Sequence, residues 1–505
     1  MYKLLLILKY LRKRRIAWVA LLAVTLCTTM VLVVISVMGG WLEMFEHSFQ
    51  GLTGDVIVES AQDSLTGFPH YQEMISEMLK LPSVEAAVPT IHTFGIINFA
   101  SPSRPNVYTV GVQVMGLPID QIGTVNRFPE SLYLQHNQYL DEAKAETDPK
   151  KKQEWLDMAA AGAKQPSFKL PLPPQVYKEG WNGRGSDPST YPGMIAGSAV
   201  LGIHRNSEGE TVNRSPELYR LHINLTTIAI RPGERSVDPN DKNETSYWLA
   251  DDSHTGMWQY DNSFVYVPFD RLQNDLAMGQ SETEDAVTHQ KHIEPSRTSD
   301  IHVKIKPGYD LAQAGKDVEA VCVRVIDSHA REDDFKYEPP TVETWRQKQH
   351  VWIDAIQNEK LLTVILFGII SLVAIFLVFC IFYMIVMEKT KDIGIIKSVG
   401  ATPGGVAQIF LGYGLAIGLV GSGLGWLCSY LIVHNINELH AWLGEIFHVQ
   451  IWNPEVYLFD KIPNTMNIRD IAIIIPIAVV SSVLGALIPA WRASQMHPVE
   501  SLRWE

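Results

Sequence analysis

Several kinds of chemistry are missing from this chain of 505 residues. It has no G-x-x-x-x-G-K-[ST], so it does not bind ATP through a P-loop, and it has neither H-E-x-x-H nor G-x-S-x-G. It has four cysteines: Cys27, Cys380 and Cys428 fall in apolar runs, and Cys322 lies in a long polar block. No disulfide framework can therefore hold that block together. Basic charge is in deficit, with a formal net charge of −13, which argues against nucleic acid as a partner. Four runs, Ala17–Met38, Leu361–Met387, Ala407–Val433 and Ile471–Ile488, contain no Asp, Glu, Lys, Arg or His. Proton coupling through a carboxylate inside such a run has no candidate.

Those runs are the main feature present. Roughly 20 apolar helical residues cross a bilayer core, so all four read as transmembrane helices. The first is too long for the h-region of a cleaved signal, usually about 7–15 residues, and reads as a retained anchor. Lys3, Lys9, Arg12, Lys13, Arg14 and Arg15 precede it with no acidic residue among them. A basic flank of this kind stays in the cytoplasm. The expected class is an α-helical membrane protein with four transmembrane helices plus a large α+β periplasmic domain inserted between the first and second.

The expected order is a cytoplasmic basic N-terminus (1–16), span 1 (17–38), a periplasmic domain (39–342), a stalk with span 2 (343–387), a cytoplasmic coupling helix (388–406), span 3 (407–433), a periplasmic loop (434–470), span 4 (471–488) and a cytoplasmic C-terminus (489–505). The helical stripe of Trp41, Leu42, Phe45 and Phe49 carries the first helix beyond its span. Val342–Met387 lacks Pro and turn clusters and reads as one helix of about 45 residues, about 68 Å long. Such lengths exceed the roughly 30 Å core and predict two stalks.

Within the polar block, strands are expected at Asp55–Glu59, Ile91–Phe99, Asn106–Val114, Phe264–Val267 and Asp300–Lys306, with helices at Tyr71–Lys80 and Tyr309–Val323. Two α+β modules that share strands give the simplest architecture. Residues 136–193 read as an insertion, with one helix over Glu142–Ala163 and a Pro-rich loop after it. Residues 231–244, rich in Pro, Gly, Asn and Asp, interrupt the pattern as a projecting loop. His289 and His292, near Glu284 and Asp285, read as a solvated charged patch rather than a metal site.

Between spans 2 and 3 the chain reads Glu388-Lys-Thr-Lys-Asp-Ile-Gly-Ile-Ile-Lys-Ser-Val-Gly400. This is a short amphipathic helix where a partner could dock. Gly414 with Gly418, and Gly421 with Gly425, are small-xxx-small pairs suited to close helix packing, within the chain or across a dimer.

The 388–402 segment and Pro489–Arg503 resemble those of the FtsX/MacB superfamily of ABC transporter permeases. Thr344-Trp345, Glu359-Lys360, Tyr457–Pro463 and Gly256–Asp261 are similar to the lipoprotein-releasing (Lol-type) permeases. The resemblance implies a non-catalytic subunit, with ATP and Mg bound by a separate ABC ATPase. That ATPase would dock on Glu388, Lys391, Asp392, Ile393, Gly394, Ile396, Lys397 and Gly400. It also implies a second permease, as a homodimer or with a related subunit, in a bacterial inner membrane. A periplasmic lipoprotein chaperone would meet the loop carrying Arg231, Pro232, Arg235 and Pro239. The cargo would be a lipoprotein or another amphipathic molecule. Two alternatives remain open at this level: a mechanotransmission permease for efflux of periplasmic substrates, and an FtsX-like signalling scaffold.

Overall fold

The computed structural model describes residues 15–61, 65–100, 107–169, 191–205, 211–212, 218–219, 221–230, 242–284, 291–330, 337–447 and 461–497. The chain divides into two compact units. One comprises Met1–Met44, Val351–Ile451 and Lys461–Glu505; the other comprises Phe45–His350 and Trp452–Asp460.

The first unit is helical. Among the described residues, four helices are long and apolar enough to cross a membrane: Trp18–Thr53, His350–Glu388, Pro403–His434 and Ile468–Gln495. The first of these belongs to a continuous helix, Arg15–Thr53, of 39 residues. At 1.5 Å per residue it is about 58 Å long, nearly twice a bilayer core of about 30 Å. It stops at Gly54, where φ is +82° and the N–H bonds back to the Gln50 carbonyl at 3.0 Å. A left-handed residue after the last turn is the usual glycine stop.

The two small-xxx-small pairs face different neighbours, both within this chain. A Cβ on Gly414 would lie 2.7 Å from Ala486 Cβ, and one on Gly418 would lie 3.0 Å from Val479 Cα. These two glycines therefore admit the fourth span. A Cβ on Gly421 would lie 2.9 Å from Val24 Cγ1, and one on Gly425 would lie 2.7 Å from Thr28 Cβ. This second pair admits the first span. Close approach lets hydroxyls bond across helices: Ser482 Oγ donates to the Gly414 carbonyl at 3.0 Å, and Thr29 Oγ1 to the Gly425 carbonyl at 3.2 Å. In lipid these contacts replace the hydrophobic drive that acts in water.

Two expectations for the helical segments are corrected. Residues 342–387 do not form one helix. Thr341–Thr344 is a strand, Trp345–Lys348 a short helix, and the long helix begins at His350. The break is built by Thr344, whose hydroxyl caps the Gln347 N–H while the Gln347 side chain takes the Thr344 N–H. This capping box starts a helix afresh at Trp345. Residues 434–470 are not all loop, because Ile436–Phe447 is helical. Leu439, Trp442 and Ile446 are exposed on one side of it, at helical spacing.

The second unit is built on a nine-stranded sheet. Its organising strand is Val84–Ala100. The first part of that strand pairs with Asp300–Ile305, and the later part pairs with Val107–Leu117 on one side and His222–Ile228 on the other. From Val107–Leu117 the pairing continues through Phe264–Pro268, Gly193–Gly197 and Lys242–Ser253 to His222–Ile228. Six strands thus close a ring. Its inner face carries Ile97, Phe99, Val112, Val114, Tyr247 and Val265, all buried. Gly95 faces inward as well, where a Cβ would lie 2.9 Å from both Leu225 Cδ1 and Val114 Cγ2. The remaining strands, Val56–Glu59 and Thr341–Thr344, extend the sheet beyond Asp300–Ile305. The expected pair of modules is therefore one sheet with a shared strand.

Helices Tyr71–Met78, Phe269–Asp275 and Leu311–His329 pack on this sheet. Asp310 caps the last of them, accepting from the Gln313 N–H at 3.0 Å. Cys322 is buried inside it, and burial pushes its thiol up to about 12. The insertion holds two helices, Gln138–Ala145 and Pro149–Lys164, rather than one. Pro149 cannot continue a helix from the preceding turn but suits the first position of a new one. Asp148 caps that start by accepting from the Lys150 N–H.

Candidate functional site

The segment between the second and third spans folds as a helix, Thr390–Ser398. It is closed by Gly400, whose φ is +104°. Ile393 is 3% exposed and belongs to a core with Val386, Val406 and Phe410, and Gly394 is buried beside it. Lys397 Nζ donates to the carbonyls of Ser494 and Met496, at 2.7 and 2.6 Å. These are carbonyls at the end of the fourth-span helix, which lack intrahelical donors. Three of the expected docking residues, Ile393, Gly394 and Lys397, are thus engaged inside the membrane unit. Asp392 pairs with Lys389, Ile396 is half-buried, and Glu388, Lys391 and Gly400 are exposed. The outward stripe is Lys391, Ile395 and Val399 at i, i+4 and i+8, with Val399 84% exposed. The docking set implied by the family resemblance includes neither Ile395 nor Val399, although Ile395 is one of the three isoleucines that make the helix amphipathic. The alternation of Ile393 and Ile395 across a helix was the available signal.

A groove of about 530 Å³ lies between the first, second and fourth spans. Its walls are apolar stripes that include Val31, Phe367, Ile375 and Ile477, with Ser371 and Ser481 among them. Lys360 and Asp470 also line it. The apolar runs were bounded just beyond both residues, which hid their shared position.

In the sheet unit, the two ends that lead to long helices are tied together. The Asp55 carboxylate accepts from Gln50 Nε2 at 2.8 Å and from the Ile305 N–H at 2.9 Å, and it pairs with Lys304. The Trp345 N–H bonds the Asp55 carbonyl at 3.2 Å. Arg346 pairs with Glu46 at 2.9 Å, and Lys348 pairs with Glu59. Beside this junction, burial and then the Glu59 charge push the Asp300 carboxyl up to about 8. Burial, then the Lys348 and His92 charges, hold His302 down to about 4.

The insertion is anchored by a buried carboxylate. Asp251 accepts from the Leu134 N–H, the Gln135 N–H and Gln135 Nε2 at 2.8, 3.2 and 3.1 Å. Burial and the neighbouring Asp252 push it up to about 7. Nearby, Ser198 Oγ and Asp261 Oδ2 both approach His254 Nδ1, at 3.4 and 3.3 Å. A nucleophilic triad uses opposite ring nitrogens, so this trio is not one.

The loop residues Arg231, Pro232, Arg235 and Pro239 lie outside the described residues, as does His289. The described strands before and after that segment pair with each other, Ile228 against Lys242. Among the described residues, no group of three or more His, Cys, Asp or Glu is placed to hold a metal ion.

Residues 364–498 match the family model for the FtsX-like permease C-terminal domain. The second, third and fourth spans of this chain thus resemble the C-terminal domain of FtsX-like permeases. The resemblance to the FtsX/MacB superfamily, and within it to Lol-type permeases, stands. The lipoprotein-releasing system transmembrane protein LolC of Neisseria meningitidis is 32% identical over 164 residues, covering 32% of this chain and 40% of LolC. The lipoprotein-releasing system transmembrane protein LolE of Haemophilus influenzae is 26% identical over 119 residues, covering 24% of this chain and 29% of LolE. The uncharacterized ABC transporter permease YknZ of Bacillus subtilis is 23% identical over 258 residues, covering 50% of this chain and 52% of YknZ. The LolC match thus spans two fifths of that relative's length. The Lys397–Ser494 contact joins two parts of the FtsX-like domain.

Proposed function

We propose that this chain is the permease subunit of an ABC transporter that extracts lipoproteins from the inner membrane and passes them to a periplasmic carrier. The observation that carries this reading is the match of residues 364–498 to the FtsX-like permease C-terminal family, beside the 32% identity to LolC over 164 residues. A separate ATPase binds and hydrolyses MgATP and docks on the Lys391–Ile395–Val399 stripe, flanked by Glu388, Asp392 and Ile396. A second permease, identical or related, completes the assembly. The basic N-terminus and the C-terminus face the cytoplasm, and the sheet unit faces the periplasm. Arg231, Pro232, Arg235 and Pro239 meet the carrier.

The physical task explains the need for ATP. Each acyl CH₂ withdrawn from the bilayer costs about 0.8 kcal/mol, so lipid-anchored proteins do not leave unaided. Apolar surfaces of the paired spans shelter the chains during transfer. The first span belongs to a helix of 39 residues that ends at Thr53, and the second-span helix of 39 residues begins at His350; within the sheet unit, the segments next to these two points are joined through Asp55, Glu46 and Glu59. Displacement of the spans by the ATPase reaches the sheet through them.

The test is reconstitution of the chain with its ATPase and partner permease in proteoliposomes that hold a triacylated lipoprotein. ATP-dependent appearance of the lipoprotein on a soluble carrier supports the proposal. ATP-driven movement of a periplasmic solute with no lipoprotein release overturns it in favour of the mechanotransmission efflux reading, which the same long helices would serve.

A further inference from the structure

The groove in the membrane unit has one polar end. Lys360 enters it from the helix His350–Glu388, ten residues after its start and just before the apolar run, and Asp470 from the first turn of the fourth-span helix. The two side chains reach toward one point. A Cβ built on Gly39 would lie 3.8 Å from Lys360 Nζ and 3.9 Å from Asp470 Oδ2. Gly39 has no side chain, so the space between the amine and the carboxylate stays open. Both residues are only partly buried. Away from this end the lining is apolar, with small hydroxyl and thiol groups on the walls.

We propose that this groove binds a phospholipid of the surrounding leaflet that has an amine-bearing, zwitterionic headgroup. The chemistry matches at both ends. Lys360 offers a compact cation to a phosphate, and Asp470 offers an acceptor to a primary ammonium. A phosphate-only headgroup would place its anion beside Asp470 with no ammonium to offset it. The tail lies along the three apolar stripes. From Asp470 to Ser482 the groove follows twelve residues of helix, about 18 Å, slightly more than the depth of about 15 Å of one leaflet of a roughly 30 Å core. Its volume of about 530 Å³ falls within the range of about 300–1,000 Å³ usual for small-ligand sites. A charged pair at the edge of the hydrocarbon is costly unless water or a partner solvates it, and the headgroup supplies that partner. The assignment does not depend on lipoprotein cargo, because a triacylated cysteine carries neither a phosphate nor, once N-acylated, a free amine.

The test uses the full chain alone, without ATPase or cargo, in detergent. Native mass spectrometry is run during titration with phosphatidylethanolamine and, separately, phosphatidylglycerol. The wild type is expected to retain one phosphatidylethanolamine with at least tenfold preference over phosphatidylglycerol. Asp470→Asn should abolish the preference, and Lys360→Gln should weaken both lipids at least tenfold. Gly368→Leu keeps the test informative should a charge variant misfold. Gly368 lines the groove, and a Cβ there meets nothing within 4 Å. That variant should block both lipids with an unchanged thermal midpoint. Equal retention of the two lipids by the wild type, or unaltered retention by folded charge variants, overturns the proposal. Lipoprotein release is read in the separate reconstitution, so the two readings fail independently.

Discussion

Lys397 Nζ lies 2.7 Å from the carbonyl oxygen of Ser494, so the short helix Thr390–Ser398 is bonded to the end of the fourth-span helix. A charge-assisted bond of this kind contributes about 1.5–3 kcal/mol. Lys397→Met should therefore destabilise the membrane unit by roughly 2 kcal/mol, read as a lower thermal midpoint of the detergent-purified chain. A midpoint equal to the wild type would show that this amine holds nothing together.

The two faces of that helix predict opposite phenotypes for the same chemical change. Ile395→Asp and Val399→Asp place a carboxylate on exposed positions and should abolish co-purification of the ATPase while the chain folds normally. Ile393→Asp buries an unpaired charge in the core with Val406 and Phe410, and should reduce the amount of folded chain in the membrane. ATPase capture by the Val399 variant at wild-type levels would place the docking surface elsewhere.

Glycines two positions apart in the third span separate packing from helix propensity. Gly423→Ala meets nothing within 4 Å and should be neutral or slightly stabilising. Gly425→Ala sets a methyl 2.7 Å from Thr28 Cβ and 2.9 Å from the Thr25 carbonyl, and should cost about 1–3 kcal/mol. Denaturation of the two variants side by side gives the comparison. Equal stability would mean that the first span yields readily.

The raised Asp300 carboxyl fixes the sign of a pH dependence. Its native value of about 8 stands above the ordinary 3.8, so between those values the folded state holds a proton that the unfolded state has lost. The stabilisation is fully present below about pH 4 and is lost as pH rises toward 8. Asp251, raised to about 7, contributes with the same sign over a narrower window. Asp300→Asn should flatten the thermal-midpoint profile between pH 4 and 8, and an unchanged slope would assign the effect to other groups.

The insertion is fastened through a contact that leaves no room for a side chain. A Cβ on Gly162 would lie 1.7 Å from the Gln135 carbonyl oxygen. Gly162→Ala should release the Pro149–Lys164 helix, seen as new protease cleavage between residues 138 and 165. Persistent protection would show that Gln135 and Asp251 suffice to hold it.

The spans were legible in the sequence because runs such as Leu361–Met387 are apolar all round, a signal that does not depend on partners. The break ahead of the second span was not. Thr341–Thr344 pairs with Val56–Glu59, nearly 300 positions earlier, and no local pattern announces so distant a partner. The direction of Ile393 was hidden for a related reason. Its periodicity marks an apolar side, but only the positions of Val406 and Phe410 reveal that this side is already occupied. Asp300 and Asp251 read as ordinary acidic residues until burial changed what their carboxyls prefer.

The strand Val56–Glu59 sits between Asp300–Ile305 and Thr341–Thr344, so the earliest strand of the sheet waits for the last two to be made. During synthesis the sheet stays unfinished until residue 344 has emerged, and the next hydrophobic helix begins six positions later at His350. Maturation of this unit is therefore coupled in time to insertion of the second span. A stalled or truncated nascent chain would expose open strand edges, making it a substrate for quality-control proteases rather than a partly working subunit.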